Sequence, residues 1–228
     1  MWAWRWLLSA ALLTGCASSP TPPLSPQLAE PAPLQAGPGE TLFAIDPAAS
    51  RIRIHVFRAG RAQALGHNHV LGATRFDGQL VLGKPLAESR FALSFRLDEL
   101  ELDRPAWRAE AGPAFASEIS AEAIAATRTN MLDSLQAAQF PLLRVRSLRL
   151  VGAAPLLAAL VEIELHGQTH QQWLALKLGP QLQVSGALVL RQSDFGITPF
   201  SVGLGLLSVA DEISVEFEIS TGAGAARD

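Results

Sequence analysis

The sequence has few of the residues that build covalent cross-links or thiolate-metal sites. Its 228 residues include a single cysteine, Cys16, which excludes an internal disulfide framework and a cysteine-based zinc cluster. Charged residues make up only 17% of the chain and the net charge is -3, so the basic surface of a nucleic-acid-binding protein is not expected. Beyond the N-terminus, no uncharged apolar stretch is long enough to span a bilayer as a helix.

Sequence motifs of catalysis are also missing. The chain has no Gly-x-Ser-x-Gly nucleophile motif, and Gly203 and Gly205 are not followed by a third glycine at dinucleotide-binding spacing. The carboxylates of the segment 98–103 lie close together in sequence, a pattern typical of a solvated face. We therefore expect a binding protein that is not an enzyme and needs no cofactor.

The N-terminus has the features of an export signal. Arg5 precedes the apolar run 7–13, and Leu13-Thr14-Gly15-Cys16 resembles the signal of bacterial lipoproteins, in which the cysteine is lipidated. An ordinary signal peptide with an incidental cysteine is the alternative. We expect a signal peptide over 1–15, and a lipidated Cys16 with a proline-rich tether over 16–40. A folded domain over 41–220 and a flexible tail over 221–228 complete the predicted organisation.

From Thr41 onward, apolar and polar residues alternate, as they do in strands with one buried face. The predicted strands cover 51–56, 78–82, 90–97, 143–150, 161–166, 173–178, 182–190 and 212–219. Strands of this number close into a barrel or pack as a sandwich. The segment 117–139 is rich in helix formers and predicts one or two short helices, with Ser117 as N-cap.

A closed sheet of this composition would have an almost purely apolar interior. An eight-stranded barrel is wide enough to be filled by side chains or to hold one small ligand, and the sequence does not distinguish the two. The residues expected on a ligand-binding wall are Ile54, Val56, Phe91, Phe95, Trp173, Phe195 and Phe200.

Histidines form two pairs that could bind a metal. His67 and His69 would point to one face of a strand, and His166 and His170 flank a turn and could add nitrogen ligands for zinc or copper. Because the spacing does not bring the pairs together, no metal site is favoured, and capping of a strand end by His67 is the alternative. His55 is expected to be solvated.

Five short strings occur in a characteristic order. They are Phe43-Ala44-Ile45-Asp46-Pro47, Gln139-Phe140-Pro141, Gly167-Gln168-Thr169, Arg191-Gln192-Ser193-Asp194-Phe195-Gly196 and Asp211-Glu212. Across residues 41–220 this order resembles the YceI-like family of secreted bacterial proteins. The resemblance implies an all-β fold with a helical insertion, namely an eight-stranded antiparallel lipocalin-like barrel. It also implies an elongated apolar cavity that binds polyisoprenoids or other long-chain amphiphiles without catalysis.

The chain departs from the family pattern at several positions. Ala49 and Arg58 stand where such sequences often have histidine, and 130–133 replaces a frequent His-Leu-Arg-Ser string. Conversely, the chain carries Gly66-His67-Asn68-His69. These differences indicate a divergent branch.

The sequence thus predicts a lipid-anchored protein of the cell envelope that faces the periplasm. Ala17, directly after the cysteine, favours the outer membrane. The expected partner is a long apolar small molecule, such as a polyisoprenoid or a quinone-like tail, which the protein would carry or sense. The alternatives are a histidine-based metal or redox accessory module and a ligand-free envelope interaction module. Nucleic acid is not an expected partner, and no protein partner is predicted.

Overall fold

The computed structural model describes residues 33–222, which form a single sheet of antiparallel strands with two α-helices. The elements in chain order are β1 (Thr41–Ala44), β2 (Arg51–Ala59), β3 (His69–Gly72), β4 (Asp77–Leu82), β5 (Arg90–Arg96), β6 (Glu101–Leu102), α1 (Pro105–Glu110), α2 (Ala121–Ser134), β7 (Leu142–Ala153), β8 (Leu156–Leu165), β9 (Gln168–Leu178), β10 (Val184–Arg191), β11 (Ser201–Val202) and β12 (Leu207–Ile219). The predicted signal peptide, Cys16, residues 17–32 of the predicted tether and residues 223–228 lie outside the described part of the chain.

The sheet curls so that the end of β1, the first strand in the chain, meets the end of β12, the last strand in the chain. The strand order is β1-β4-β5-β7-β8-β9-β10-β12-β2-β3-β6, and β11 adds to β12. Directly after β1, Ile45 forms a bridge with Thr221, and Asp46 N donates to Ser220 O at 2.9 Å. Register shifts in β7, between Ser147 and Arg149, and in β12 bend the long strands as β-bulges do. The predicted lipocalin-like antiparallel barrel is thereby confirmed.

The described sheet has twelve strands where eight were predicted. The eight predicted segments correspond to β2, β4, β5, β7, β8, β9, β10 and β12, which are the longer strands. The additional strands β1, β3, β6 and β11 have only two to four residues. Segments this short cannot show a period of two, so the alternation could not reveal them.

The core lies on the concave face of the sheet. In β8, residues 157, 159, 161, 163 and 165 are buried and the residues between them are not, so one face of the strand supplies only aliphatic side chains. Each fully buried aliphatic side chain of this kind contributes about 1.5–3 kcal/mol to folding. The same apolar face continues through Phe95, Leu174, Leu176 and Leu190.

The helical insertion is confirmed, with a different N-cap. Helix α2 begins after Ser120, whose hydroxyl accepts a hydrogen bond from Ala123 N at 3.2 Å, and not after Ser117. The prediction of Ser117 as the cap is wrong because Ser117 is bonded elsewhere, to the guanidinium of Arg108. Helix α1 was not predicted; with six residues it is too short to display a helical period.

A second, small core lies outside the barrel. Val70, Trp107 and Phe115 are buried there, with Phe57 packed against them. His55 is only 9% exposed, and its ring lies 5.4 Å from that of Phe115. The expectation that His55 is solvated is therefore wrong, because α1 and the turn after it cover this patch of the convex face.

The end of the predicted tether is attached to the sheet. Leu34 N donates to Gln79 Oε1 at 2.8 Å, and Arg90 donates to Gln35 O and to both carboxylate oxygens of Glu40. The Arg90 guanidinium lowers the pKa of Glu40 to about 2. The part of the tether within the described residues thus packs on β4 and β5, and Thr221, the first residue of the predicted tail, is paired with Ile45.

Within residues 33–222, no helix is long and apolar enough to cross a membrane.

Candidate binding cavity

The barrel encloses an inner cavity of about 200 Å³. Its walls are leucine, isoleucine, valine and phenylalanine side chains, with Ser89 and Thr221 as polar exceptions. Ile54, Phe91 and Phe95 line this cavity, on the inner face that the alternation of apolar and polar residues predicted for them. The concave face of the sheet is therefore partly a packed core and partly the wall of an empty space.

A second, outer cavity of about 300 Å³ lies under helix α2. Val56, Phe195 and Phe200 belong to its lining, together with Met131 from α2 and Leu135 directly after this helix. No residue of α2 is fully buried, although Met131 and Leu135 pack against the core. The helix thus covers the cavity with half-buried and exposed side chains, and Arg128 attaches it to the segment before β6 by donating to Leu100 O at 2.6 Å and to Asp98 O.

The two cavities meet at three residues. Leu165, Leu190 and Ile213 line both of them, from strands β8, β10 and β12. The two largely apolar cavities therefore adjoin each other between the interior of the barrel and the underside of α2. A space of this shape and polarity suits a chain-like hydrocarbon.

Trp173 is not part of either cavity. It lies on β9 between residues that face the other way, and 48% of its surface is exposed, whereas Leu174 and Leu176 point inward. Its proposed place on the wall is therefore wrong. The aromatic ring suggested a wall position, but the period of two assigns the inner face to the neighbouring leucines.

The histidines separate into two unconnected environments. The rings of His67 and His69 lie 6.5 Å apart and both line the outer cavity. His166 Nδ1 bonds to Phe195 O at 3.0 Å, and His170 Nε2 lies 3.9 Å from Asp194. In the described part of the chain, no group of three or more His, Cys, Asp or Glu side chains is arranged to hold a metal.

A buried polar cluster beside the outer cavity was missed by the sequence analysis. Asp103 is 3% exposed, and its carboxylate is bonded to His69, Arg108 and the backbone N–H of Val70. The sequence analysis had placed it on a solvated face with the acids of 98–103. The signal for this cluster in the sequence was the string Gly66-His67-Asn68-His69, because its histidines have no hydrogen-bond partner on their own strand.

These features define an all-β binding barrel of lipocalin type with an apolar interior. The YceI-like domain family model matches residues 43–221, and the chain belongs to this family. The fold of the family is a barrel known for binding polyisoprenoids, and it is not that of an enzyme family.

Comparison with solved structures concerns the fold alone. The crystal structure of Burkholderia cenocepacia BcnA is similar with a TM-score of 0.53 and 13% identity, covering 78% of this chain and 99% of that chain. A Campylobacter jejuni YceI protein gives a TM-score of 0.45 at 12% identity, covering 67% of this chain and 84% of that chain. No curated protein matches the chain.

Proposed function

We propose that the protein binds a long apolar molecule in the barrel, as a carrier or sensor and not as a catalyst. The observation that carries this proposal is that two largely apolar cavities adjoin at Leu165, Leu190 and Ile213. A plain structural barrel needs no such space, whereas a hydrocarbon tail would fill it. A polyisoprenoid or a quinone-like tail has the required shape and polarity.

The energetics of burial support capture of such a tail. Each CH₂ group removed from water contributes about 0.8 kcal/mol, so a ten-carbon tail supplies about 8 kcal/mol before the costs of association. Because the inner wall has almost no polar groups, little of this gain is offset by lost hydrogen bonds. Before those costs, this gain corresponds to a dissociation constant of about 1 μM.

We further propose that the protein works at the cell envelope, facing the periplasm and anchored through a lipid on Cys16. The lipoprotein-like string that ends at Cys16 supports this anchor, and Ala17 favours the outer membrane. Acyl chains on the N-terminus would keep the barrel near the membranes in which long apolar molecules reside.

Native mass spectrometry of the full chain, expressed in a bacterial host and compared with the denatured chain, tests the binding function. An additional mass of several hundred daltons that passes into organic solvent is expected. If the purified chain carries no additional mass and also does not bind added dodecanol, the proposed binding function is wrong. Labelling with radioactive palmitate, compared between wild type and Cys16→Ser, tests the anchor, and equal labelling would contradict it.

A further inference from the structure

The outer cavity has a polar corner at β3. His69 and Leu71 face this cavity, whereas Val70 between them faces the small core outside the barrel. The side chain of His69 is 14% exposed. It is thus a partly covered polar group in a largely apolar chamber.

The orientation of His69 is fixed by a buried carboxylate. His69 Nδ1 lies 2.7 Å from Asp103 Oδ2, and the Asp103 side chain is fully buried. Arg108 donates to Asp103 Oδ1 at 2.7 Å, and Val70 N donates to the same oxygen at 3.0 Å. Arg108 also donates to Asn68 O, so the cluster joins β3, α1 and the residue after β6.

Asp103 is ionised in this cluster. Burial alone would raise the pKa of its carboxyl group, but the hydrogen bonds from His69 and Val70 outweigh burial, and the pKa is lowered. A carboxylate can only accept, so His69 must carry a proton on Nδ1. In the tautomer that this bond selects for the neutral imidazole, the proton is on Nδ1 and Nε2 has the lone pair.

Nothing else in the described chain uses that lone pair. The hydrogen bonds of His69 within residues 33–222 involve Nδ1 only, and Nε2 is not among the fully buried atoms. Holding α1 against the sheet would require only the bond between Asp103 and Arg108. The oriented imidazole is therefore available to a molecule in the cavity.

The remaining polar groups of the outer cavity are poorly suited to an anion. Arg58 donates to Gly66 O at 2.6 Å, and Arg191 lies 3.4 Å from Glu212, so both arginines of the lining are engaged. Lysine is absent from the described lining. The other polar side chains there are His67, whose Nδ1 lies 3.1 Å from Ser117 Oγ, and the hydroxyls and amides of Thr127, Asn130, Ser134, Gln192 and Ser208.

We propose that His69 Nε2 accepts a hydrogen bond from a hydroxyl head group of the amphiphile whose tail occupies the barrel. This inference rests on the proposed function and specifies its ligand class as a long-chain alcohol or phenol. The tail extends past Leu190 into the inner cavity, and α2 covers the head.

Calorimetric titration of the full chain with dodecanol and with its methyl ether tests the inference. The ether has the same tail and an oxygen, but no proton to donate. We expect the wild type to bind the alcohol about tenfold more tightly than the ether, as one hydrogen bond in a covered site would produce.

The variant His69→Asn isolates the acceptor. Its amide nitrogen can replace Nδ1 as donor to Asp103, but it has no acceptor at the Nε2 position. The tenfold preference should disappear while ether affinity stays unchanged. His170→Asn is the matched control, because His170 lies beside Asp194 and lines neither cavity, and it should keep the preference.

Each other outcome contradicts a distinct part of the account. Equal affinity of the wild type for alcohol and ether overturns the head-group inference and leaves the apolar cavity intact. Tighter binding of dodecanoate than of dodecanol overturns it in favour of an anion site. Loss of ether binding in His69→Asn would show that His69 only supports the barrel. If the wild type binds neither alcohol nor ether, the proposed function itself fails.

Discussion

At Gly72, the indole of Trp107 occupies the space that a side chain would need. A Cβ at position 72 would lie 2.6 Å from Trp107 ring atoms. The ring is also held between Arg53 and Arg104, whose guanidinium carbons are 4.0 and 4.8 Å from it. The ring therefore has little freedom to move aside.

Gly72→Ala is expected to lower the free energy of unfolding by about 1–3 kcal/mol through overpacking. Urea titration measures the change. Gly179→Ala is the control, because a Cβ there would meet no atom closer than 3.5 Å and should leave stability almost unchanged. Equal stability of both variants would contradict the packing described for α1.

Phe91 tests the inner wall directly. It lines the inner cavity, so Phe91→Asp would place a carboxylate on the wall of this cavity. A hydrocarbon tail in the cavity would then remove water from that charge, which costs free energy. We expect binding of the apolar fluorophore diphenylhexatriene to be lost, with the circular dichroism spectrum of a β-protein retained.

Trp173→Asp is the matched control for Phe91→Asp, since it makes the same kind of change on the exposed outer face of β9. It should bind the fluorophore as the wild type does. A Phe91→Asp variant that still binds, or a Trp173→Asp variant that does not, would contradict the assignment of faces.

At the scale of the elements, α2 is less firmly held than the strands beneath it. None of its residues is buried, whereas β8 contains Ala159 and Val161 with no exposed surface. Helices with few buried apolar contacts open at lower free energy than central strands. A ligand under α2 would add contacts to Met131 and Leu135.

Hydrogen exchange should therefore be fast in 121–134 and slow in 156–165, and dodecanol should slow exchange in α2 more than in β8. Mass spectrometry of peptides from the full chain measures both. Exchange in α2 that dodecanol does not change would contradict its role as the cover of the cavity.

The elements also show what the sequence could predict. The long strands were predictable because each presents several residues to each face, so that one residue that breaks the alternation does not hide the period of two. Ile54, Val56, Phe91 and Phe95 follow from that period, while Trp173 was misplaced when aromatic character was preferred to it.

Contacts between distant segments were not predictable in this way. Asp103 lies among acids that are exposed or half-buried, and its burial depends on His69 and Arg108, which only the fold brings to it. The short strand β6, which positions Asp103, is also too brief to leave a pattern. The composition indicated an apolar interior, but whether it is filled depends on how closely opposite strands approach each other.

For the whole molecule, the carboxyl groups determine how stability responds to acid. Every described carboxyl group whose pKa clearly departs from its ordinary value has a lowered pKa. These groups are Glu40, Asp98, Glu101, Asp103, Glu122, Glu162 and Asp211. A lowered pKa in the folded state means that the unfolded state binds protons first as the pH falls.

The pKa of Glu40 falls from 4.5 to about 2 on folding. Its contribution to the free energy of unfolding should therefore be fully present above about pH 4.5 and be lost as the pH falls towards 2. Thermal unfolding from pH 6 to pH 2 measures the decline, and Glu40→Gln should make it shallower. Glu118→Gln, at an exposed position without an ion pair among the described contacts, is the control and should not alter the slope. A steeper decline in Glu40→Gln would contradict the pairing with Arg90.

The central claim is that the two adjoining cavities together bury one hydrocarbon tail. The most direct measurement is the affinity of the full chain for straight-chain alcohols of increasing length, by calorimetry. The account predicts that affinity rises by up to about fourfold per added CH₂ until the tail fills both cavities. In Leu190→Phe, which narrows the junction of the cavities, the rise should stop at a shorter chain. Affinity that does not depend on chain length in the wild type would contradict the claim.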